Sequence, residues 1–276
     1  MGIFDQSILR GRRVLPGVRF EETEPPEPPN DPPSGAIAAW DFSKTNTLWR
    51  DASKTIPVSN GASIEVAENI GSSGAQYNMR AMGVPKWVLD PNGLPALDVT
   101  EGLNTGLFTG TGYLDSLQNI SVCVVATGPL IASTANDSRI WNAKIADVKF
   151  GLEMFRSFSE FYFGGRILPG DAYKEVHAGA TNPIIVTSEI GVSDYTNGII
   201  TLFHDGAQIG ESTIWHQGLS SDYSGGQYSY LGTSDDYIWD FDGYIHAVYI
   251  YARKLSAEDR VQWWKYTKDV WAVNVP

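Results

Sequence analysis

One cysteine, Cys123, is all that this 276-residue chain holds, so neither an internal disulfide framework nor a cysteine-based zinc site is available to it. Long apolar runs are missing as well. The longest, around Ile120–Thr127, falls far short of the roughly 20 residues that a spanning helix needs, which excludes membrane insertion by helices. Basic residues are scarce: 20 Lys and Arg stand against 32 Asp and Glu, giving a net charge of −12. Phosphate backbones repel a chain of that sign, so nucleic acid is not expected as a partner. Charged residues make up only 19%, while 42% are hydrophobic, enough to build a core and to exclude wholesale disorder. No targeting segment is legible at the start. The arginines follow the apolar residues instead of preceding an apolar run, and Gln6 stands where a myristoylation motif has Ser or Thr.

Proline is unevenly spread, with seven of the 15 before residue 35, and this divides the chain. Residues 1–20 carry Arg10, Arg12, Arg13 and Arg19 against a single acid, Asp5. Ile3, Phe4, Ile8, Leu9, Val14, Leu15, Val18 and Phe20 are interleaved with them. Apolar anchors among arginines suit a peptide that orders on a partner's surface. Ile3, Phe4, Ile8, Leu9, Arg10, Arg12, Arg13 and Phe20 are therefore the expected docking residues. Residues 21–35 follow, with six prolines and the acids Glu21, Glu22, Glu24, Glu27 and Asp31. Such a stretch favours polyproline II and reads as a semi-rigid spacer, reaching on the order of 45 Å at about 3.1 Å per residue.

From residue 36 to 276 the chain reads as β-structure. Ile120–Thr127 is apolar almost throughout, as befits a strand covered on both faces. Further strands are expected at Phe150–Phe155, Phe161–Arg166, Pro183–Ile190, Tyr228–Leu231 and Tyr244–Tyr251. Ile199–His204, Asp205-Gly206 and Ala207–Gly210 form a hairpin pattern, because Asp-Gly accepts the positive φ angles of a tight turn. Many strands with regular Gly, Pro, Asn and Asp punctuation indicate a two-sheet antiparallel sandwich. One helix closes the chain. Ser256 and Asp259 resemble a capping box, and the helix face is expected near Val261, Trp264, Lys265 and Lys268, with Trp263 and Trp271 adding aromatic packing.

Two segments carry a resemblance. Ala39-Trp-Asp-Phe-Ser43, then Thr47-Leu-Trp-Arg-Asp-Ala-Ser-Lys-Thr55 and Pro57-Val-Ser59, is similar to the opening of concanavalin A-like, laminin-G-like jelly-roll domains of bacteriophage virion proteins. Phe241-Asp-Gly-Tyr-Ile-His-Ala-Val-Tyr-Ile-Tyr251, followed by Arg253-Lys-Leu-Ser256, is similar to their closing strand and helix. Phe42 replaces the usual proline, and Ala247 occupies a frequent glutamate position. The resemblance implies an all-β jelly-roll sandwich with a short C-terminal helix, displayed on a virion surface. It further implies that the arm docks on other virion proteins, with many copies or a homo-oligomer on a symmetric particle.

A glycoside hydrolase of this fold would need two carboxyls flanking the scissile bond, alternating on one strand. No such string exists, and Glu153, Glu160, Glu258 and Asp259 read as surface acids. There is no Gly-x-Ser-x-Gly, and His177, His204, His216 and His246 lack metal-ligand spacing. His246, in mid-strand, reads as a core or edge histidine. No catalytic residue, metal ligand or cofactor is expected. Calcium is unsupported by spacing, since Asp235, Asp236, Asp240 and Asp242 read as turn formers. The stretch from Trp215 to Trp239 differs from all this. It mixes aromatics with Ser, Gly, Asp and Gln, as binding loops do, and flat aromatic faces suit sugar rings. Trp215, His216, Tyr223, Tyr237 and Trp239 are the expected ligand-binding residues, with host surface glycans as ligands; packing of the sandwich rim is the other role open to such aromatics. The combined expectation is a non-catalytic, glycan-binding virion surface protein of head or tail. A purely structural decoration and a polysaccharide-degrading enzyme are the alternatives.

Overall fold

A strand with apolar side chains on both faces needs a cover on each, and the strand Asn119–Thr127 has both. Ile120, Val122, Val124 and Ala126 point into the core between two sheets. Cys123 and Val125 point the other way, into a second apolar cluster beneath the C-terminal helix. The computed structural model describes residues 30–100, 104–110, 112–128, 138–145, 148–157, 160–166, 171–178, 185–213, 220–221, 228–233 and 240–274. The expected docking residues 1–20 lie outside that set.

The strands are β1 Ala38–Asp41, β2 Leu48–Trp49, β3 Ala62–Ser63, β4 Val66–Ala67, β5 Met79–Met82, β6 Lys86–Leu89, β7 Pro95–Asp98, β8 Gly106–Thr109 and β9 Asn119–Thr127. After these come β10 Ser138–Ile145, β11 Val148–Ser157, β12 Glu160–Gly165, β13 Lys174–Ala178, β14 Thr187–Asp194, β15 Ile199–His204, β16 Ala207–Ser212, β17 Ser229–Leu231 and β18 Tyr244–Tyr251. Helix α1 spans Ala257–Trp271. Among the described residues the first sheet runs β16-β15-β14-β9-β18-β7-β6-β3, with β1 also paired to β18. The second runs β13-β12-β11-β10-β17-β8-β5-β4-β2. The fold is thus an all-β, two-sheet antiparallel jelly-roll sandwich with one short C-terminal helix. Trp40, Trp141, Phe161, Phe163 and Phe241 fill the space between the sheets.

The expected hairpin is present: β15 and β16 pair antiparallel around Asp205-Gly206, both at positive φ (42° and 91°). Tyr244–Tyr251 is a strand as expected, and His246 within it is fully buried. Several boundaries moved, and one strand is displaced at both ends. The strand expected at Pro183–Ile190 is Thr187–Asp194, because its inward positions, Glu189, Gly191 and Ser193, carry no apolar side chain to mark it. Gly191 is required there, since a Cβ would meet the Phe163 ring at 2.3 Å. The short strands β2 to β8 also went unread, being too brief to show a period.

On α1 the capping box is complete: Asp259 N–H donates to Ser256 Oγ and Ser256 N–H to the Asp259 carboxylate. The expected helix face is corrected. Val261 is 52% exposed, and Lys265 and Lys268 share its solvent side, whereas Trp263, Trp264, Tyr266, Thr267 and Trp271 are buried. The aromatic rings offer more area to the sheet than valine does, so they decide which side turns inward. Asp41 locks the arrangement. Its carboxylate accepts the hydroxyls of Tyr249 on β18, at 2.9 Å, and Tyr266 on α1. Trp263 Nε1 donates to Ser188 Oγ at 2.8 Å.

The end of the expected spacer is fastened to this helix. Asn30 N and Nδ2 donate to Asp269 at 3.1 and 2.7 Å, and Gln262 Nε2 donates to the Asp31 carbonyl at 3.1 Å. Tyr251 Oη donates to Pro33 O at 3.0 Å, and Arg253 Nη2 to Ser34 O at 3.2 Å. Residues 30–34 form a strap along α1.

Candidate functional site

The outer face of the second sheet carries the chemistry that the first sheet lacks. Strand alternation places Leu152, Met154, Phe161, Phe163 and Val176 in the core, so their neighbours in sequence face outward. One row of outward residues crosses strand after strand: His177, Tyr162, Phe155 and Arg139 are direct partners on β13, β12, β11 and β10. Tyr162 stacks on His177 at 4.8 Å and on Phe155 at 4.6 Å, with planes within 17° and 14° of parallel. The Arg139 guanidinium lies 5.1 Å from the Phe155 ring centre and caps the stack. Ring spacings match the separation of neighbouring strands, about 4.8 Å, so the ladder is a direct product of register.

A second row lies two residues along. Glu153, Asn142, Tyr230, Phe108 and Arg80 are successive partners across β11, β10, β17, β8 and β5. Glu153 is buried, which corrects its reading as a surface acid. Arg139 Nε donates to it at 2.7 Å and Tyr173 Oη at 2.7 Å. A carboxylate on an outward position keeps its charge under cover only when paired in this way. Burial, with Glu153 close by, pushes the Tyr173 phenol well up. The accessible parts of the face are its margins. On one side stand His177 and Glu160, joined at 3.2 Å, with Tyr162 Oη donating to Glu160 at 2.9 Å. On the other stand Arg80 and Tyr228, Tyr228 lying 6.2 Å from the Tyr230 ring.

Glu160 therefore sits at the surface as expected, while Glu258 and Asp259 occupy the first turn of α1. Glu153 lies opposite Gly164, four residues along β12 from Glu160, about 13 Å of strand. That exceeds the 5–9.5 Å over which two carboxyls flank a glycosidic bond, and Glu153 is already held by two donors.

The five expected ligand residues, Trp215, His216, Tyr223, Tyr237 and Trp239, lie outside the described residues. What is described is how their segments are anchored. β17 lies within the stretch and runs antiparallel to β8, pairing Ser229 with Thr109, Tyr230 with Phe108 and Leu231 with Leu107. Before it, Ser221 bonds to Leu117: Ser221 N–H donates to Leu117 O at 2.8 Å, and Leu117 N–H to Ser221 Oγ at 2.9 Å. After it, Phe241 N–H donates to Gly232 O at 2.8 Å, and Asp240 accepts Asn104 N–H at 2.8 Å and the Thr233 hydroxyl. Both oxygens of Asp240 are thus engaged. Asp235 and Asp236 lie outside the described residues. Among the described residues no group of three or more His, Cys, Asp or Glu could hold a metal ion.

Two further polar clusters sit inside the sandwich. Arg156 Nη2 bonds Glu189 at 3.0 Å, with Phe161 at 4.7 Å from the guanidinium. His204 lies 3.7 Å from Glu189 and 3.5 Å from Asp205. Burial alone would raise the Glu189 carboxyl, but Arg156 beside it brings it below the usual range. Burial lifts Asp205 to about 6, and Glu189 overcomes the burial of His204 to raise its imidazole. This cluster pins the sheets together. His246 is different: its Nδ1–H donates to Pro95 O at 2.8 Å, leaving Nε2 to accept from Thr127 Oγ1 at 2.9 Å. Burial pulls it down to about 4, so it is a neutral core histidine.

Sequence reasoning missed Arg139, Asn142, Glu153, Phe155, Tyr162, Tyr173 and His177 as a group. A signal was present in the alternation of Glu153 and Phe155 with Leu152 and Met154, which assigns them to one outward face.

No family model and no curated protein matches this chain. Solved structures do. The fold is similar to the binding domain of botulinum neurotoxin serotype D, at 12% identity and TM-score 0.56, over 82% of this chain and 50% of that one. A binding domain of botulinum neurotoxin DC in complex with SialylT matches at 10% identity and TM-score 0.54, over 82% and 50%. The CBM40 of the Ruminococcus gnavus IT-sialidase bound to alpha2,3 sialyllactose matches at 13% identity and TM-score 0.45, over 53% and 82%. The chain spans about half the length of the toxin binding domains. At these identities the likeness to the toxin binding domains establishes the β-sandwich fold.

Proposed function

We propose that the chain is a non-catalytic carbohydrate-binding protein displayed on a phage particle. Residues 1–20 dock on other virion proteins, and the jelly roll presents the outer face of its second sheet to surface glycans of the host. The observation that carries this reading is the position of β17. It sets Tyr230 on the same sheet face as Phe108, Tyr162 and His177, with Tyr228 at an open margin of that face. Tyr228 and Arg80 at one margin and Tyr162, His177 and Glu160 at the other give polar and aromatic surface, the composition that sugar recognition uses. The complex of a similarly folded toxin domain with SialylT supports the sugar reading, and the motif resemblance at residues 39–59 and 241–256 supports the virion reading. Each site binds weakly, and many copies on one particle supply the avidity.

The test is a glycan array probed with the multimerised domain. Binding to bacterial surface polysaccharides should fall in Tyr237→Ala, Trp239→Ala and Tyr162→Ala, with thermal unfolding of Tyr162→Ala monitored in parallel. Silence of the parent protein across such glycans would sink the sugar reading. A decoration role is the second reading, favoured by Ile56, Val84 and Leu89, exposed by 50, 58 and 47% around the β2, β3 and β6 edges. Concentration-dependent light scattering that disappears in Leu89→Glu would support it. Deleting residues 1–20 should leave the domain folded and abolish incorporation into particles.

A further inference from the structure

The margin of the second sheet's outer face at β5, β8 and β17 combines an aromatic ring with a free cation. Arg80, Phe108 and Tyr230 are direct partners across the three strands and share that face. Phe108 and Tyr230 stack at 6.3 Å with planes 26° apart, and Tyr228 lies 6.2 Å from Tyr230. The Tyr228 ring rests against Gly110: a Cβ added to that glycine would meet Tyr228 Cε1 at 3.3 Å. Held there, the ring still keeps 42% of its residue's surface exposed. Arg80 is exposed as well. Two strand spacings, about 10 Å, separate the backbones that carry Tyr228 and Arg80. Between them lie Phe108, half-buried, and Gly110, which has no side chain.

Arg80 has its charge to spare. Among the described residues no carboxylate pairs with it. Its partner on β4 is Val66, and Glu68, two residues further along, is already committed. Lys54 Nζ lies 2.5 Å from one Glu68 oxygen, and Trp49 Nε1 donates to the other at 3.0 Å. A guanidinium with no counter-charge presents two parallel N–H donors to a carboxylate. An exposed ring takes the C–H face of a pyranose. The net charge of −12 then decides how highly charged the ligand can be. A polymer with several charges per sugar is repelled by the protein as a whole, whereas one carboxylate per ring is within the capacity of a single arginine. We propose that this margin is a subsite for carboxylated sugars, in which the pyranose lies on Tyr228 and its carboxylate takes the Arg80 guanidinium. The inference rests on the sugar reading and narrows it to acidic glycans.

The test uses the full chain, multimerised, against bacterial polysaccharides that contain uronic acids, each paired with its carboxyl-reduced form. The parent should prefer the acidic member of a pair by on the order of tenfold. Arg80→Gln should lose that preference and still bind the reduced member. Arg80→Lys should keep only part of it, because an ammonium lacks the forked geometry. Tyr228→Ala should weaken binding to both members. Arg80 is exposed, so the unfolding midpoints of its variants should stay at the parent value. Equal binding of both members by the parent, or a preference that survives in Arg80→Gln, overturns the proposal and leaves the sugar reading standing. Binding to neither member of any pair overturns the proposal, and silence on neutral glycans as well removes the sugar reading with it.

Discussion

On the outer face of the first sheet, Tyr249, Trp263, Tyr266 and Trp271 meet edge to face under α1. Tyr249 meets Trp263 at 5.4 Å and 65°, and Tyr266 meets Trp271 at 5.2 Å and 84°. On the outer face of the second sheet, Phe155, Tyr162 and His177 stack almost parallel, and the stack ends in solvent. Both faces are rich in rings, yet α1 covers the first, whereas the second keeps Phe155, Arg139 and Glu153 buried and opens at its margins. The difference lies in what accompanies the rings. Ala39, Cys123, Val125 and Ala247 give the first face a smooth apolar bed for a helix. Arg139, Asn142, Glu153 and Glu160 give the second a set of charges and amides that no apolar cover could satisfy. A face that holds rings and charges together suits polar ligands better than it suits a helix.

That contrast can be broken by substitution, and the sealed face should respond most. Trp263→Ala should cost about 3–5 kcal/mol in chemical unfolding, since it empties a fully buried site and orphans Ser188 Oγ. A cost near zero would mean that α1 is not integral to the sheet. On the second face, Glu153→Gln should cost about 3 kcal/mol by leaving Arg139 buried without its counter-charge. The double variant Arg139→Met/Glu153→Met should recover part of that loss; additive losses would show that the pair itself is net stabilising. The pin between the faces should respond to pH. The folded values of Asp205, about 6, and of His204 both stand above their ordinary 3.8 and 6.5. Their stabilising effect is complete below those ordinary values and is lost as pH rises through the folded ones. Thermal midpoints should therefore fall as pH rises from about 4 to 6 and again above 6.5, and His204→Gln should flatten the upper part of that slope. Glu189, lowered, contributes in the opposite sense and is lost in acid. The smallest effect should come from His177→Ala, within about 0.5 kcal/mol, because its ring sits at the exposed end of the ladder.

Much of the fold was legible where one physical rule acted alone. The unbroken apolar string in β9 announced two covers, and Asp205-Gly206 announced a hairpin. Ser256 and Asp259 marked the start of α1. Legibility failed where tertiary partners set the rule. Glu189 and Gly191 are strand residues because Arg156 and Phe163 occupy the space they face, which no local pattern reveals. The two-residue strands β2, β3 and β4 exist only by pairing with chain elsewhere. Composition singled out the 215–239 stretch, whose expected ligand residues lie outside the described residues. The face on β10 to β13 was obscured because Glu153 and Arg139 look like surface charges until register makes them neighbours.

Asp41 and Tyr266, whose hydrogen bond fastens α1 to β1, are 225 residues apart. During synthesis β1 waits unpaired for β18, and the first sheet stays uncovered until α1 has left the ribosome. Contacts of such range slow folding and leave apolar strands exposed meanwhile. Completion of the sandwich thus waits for the synthesis of α1. A chain cut short before Tyr266 would keep most of its strands and still fail to close, which makes truncated copies natural targets for chaperones and proteases.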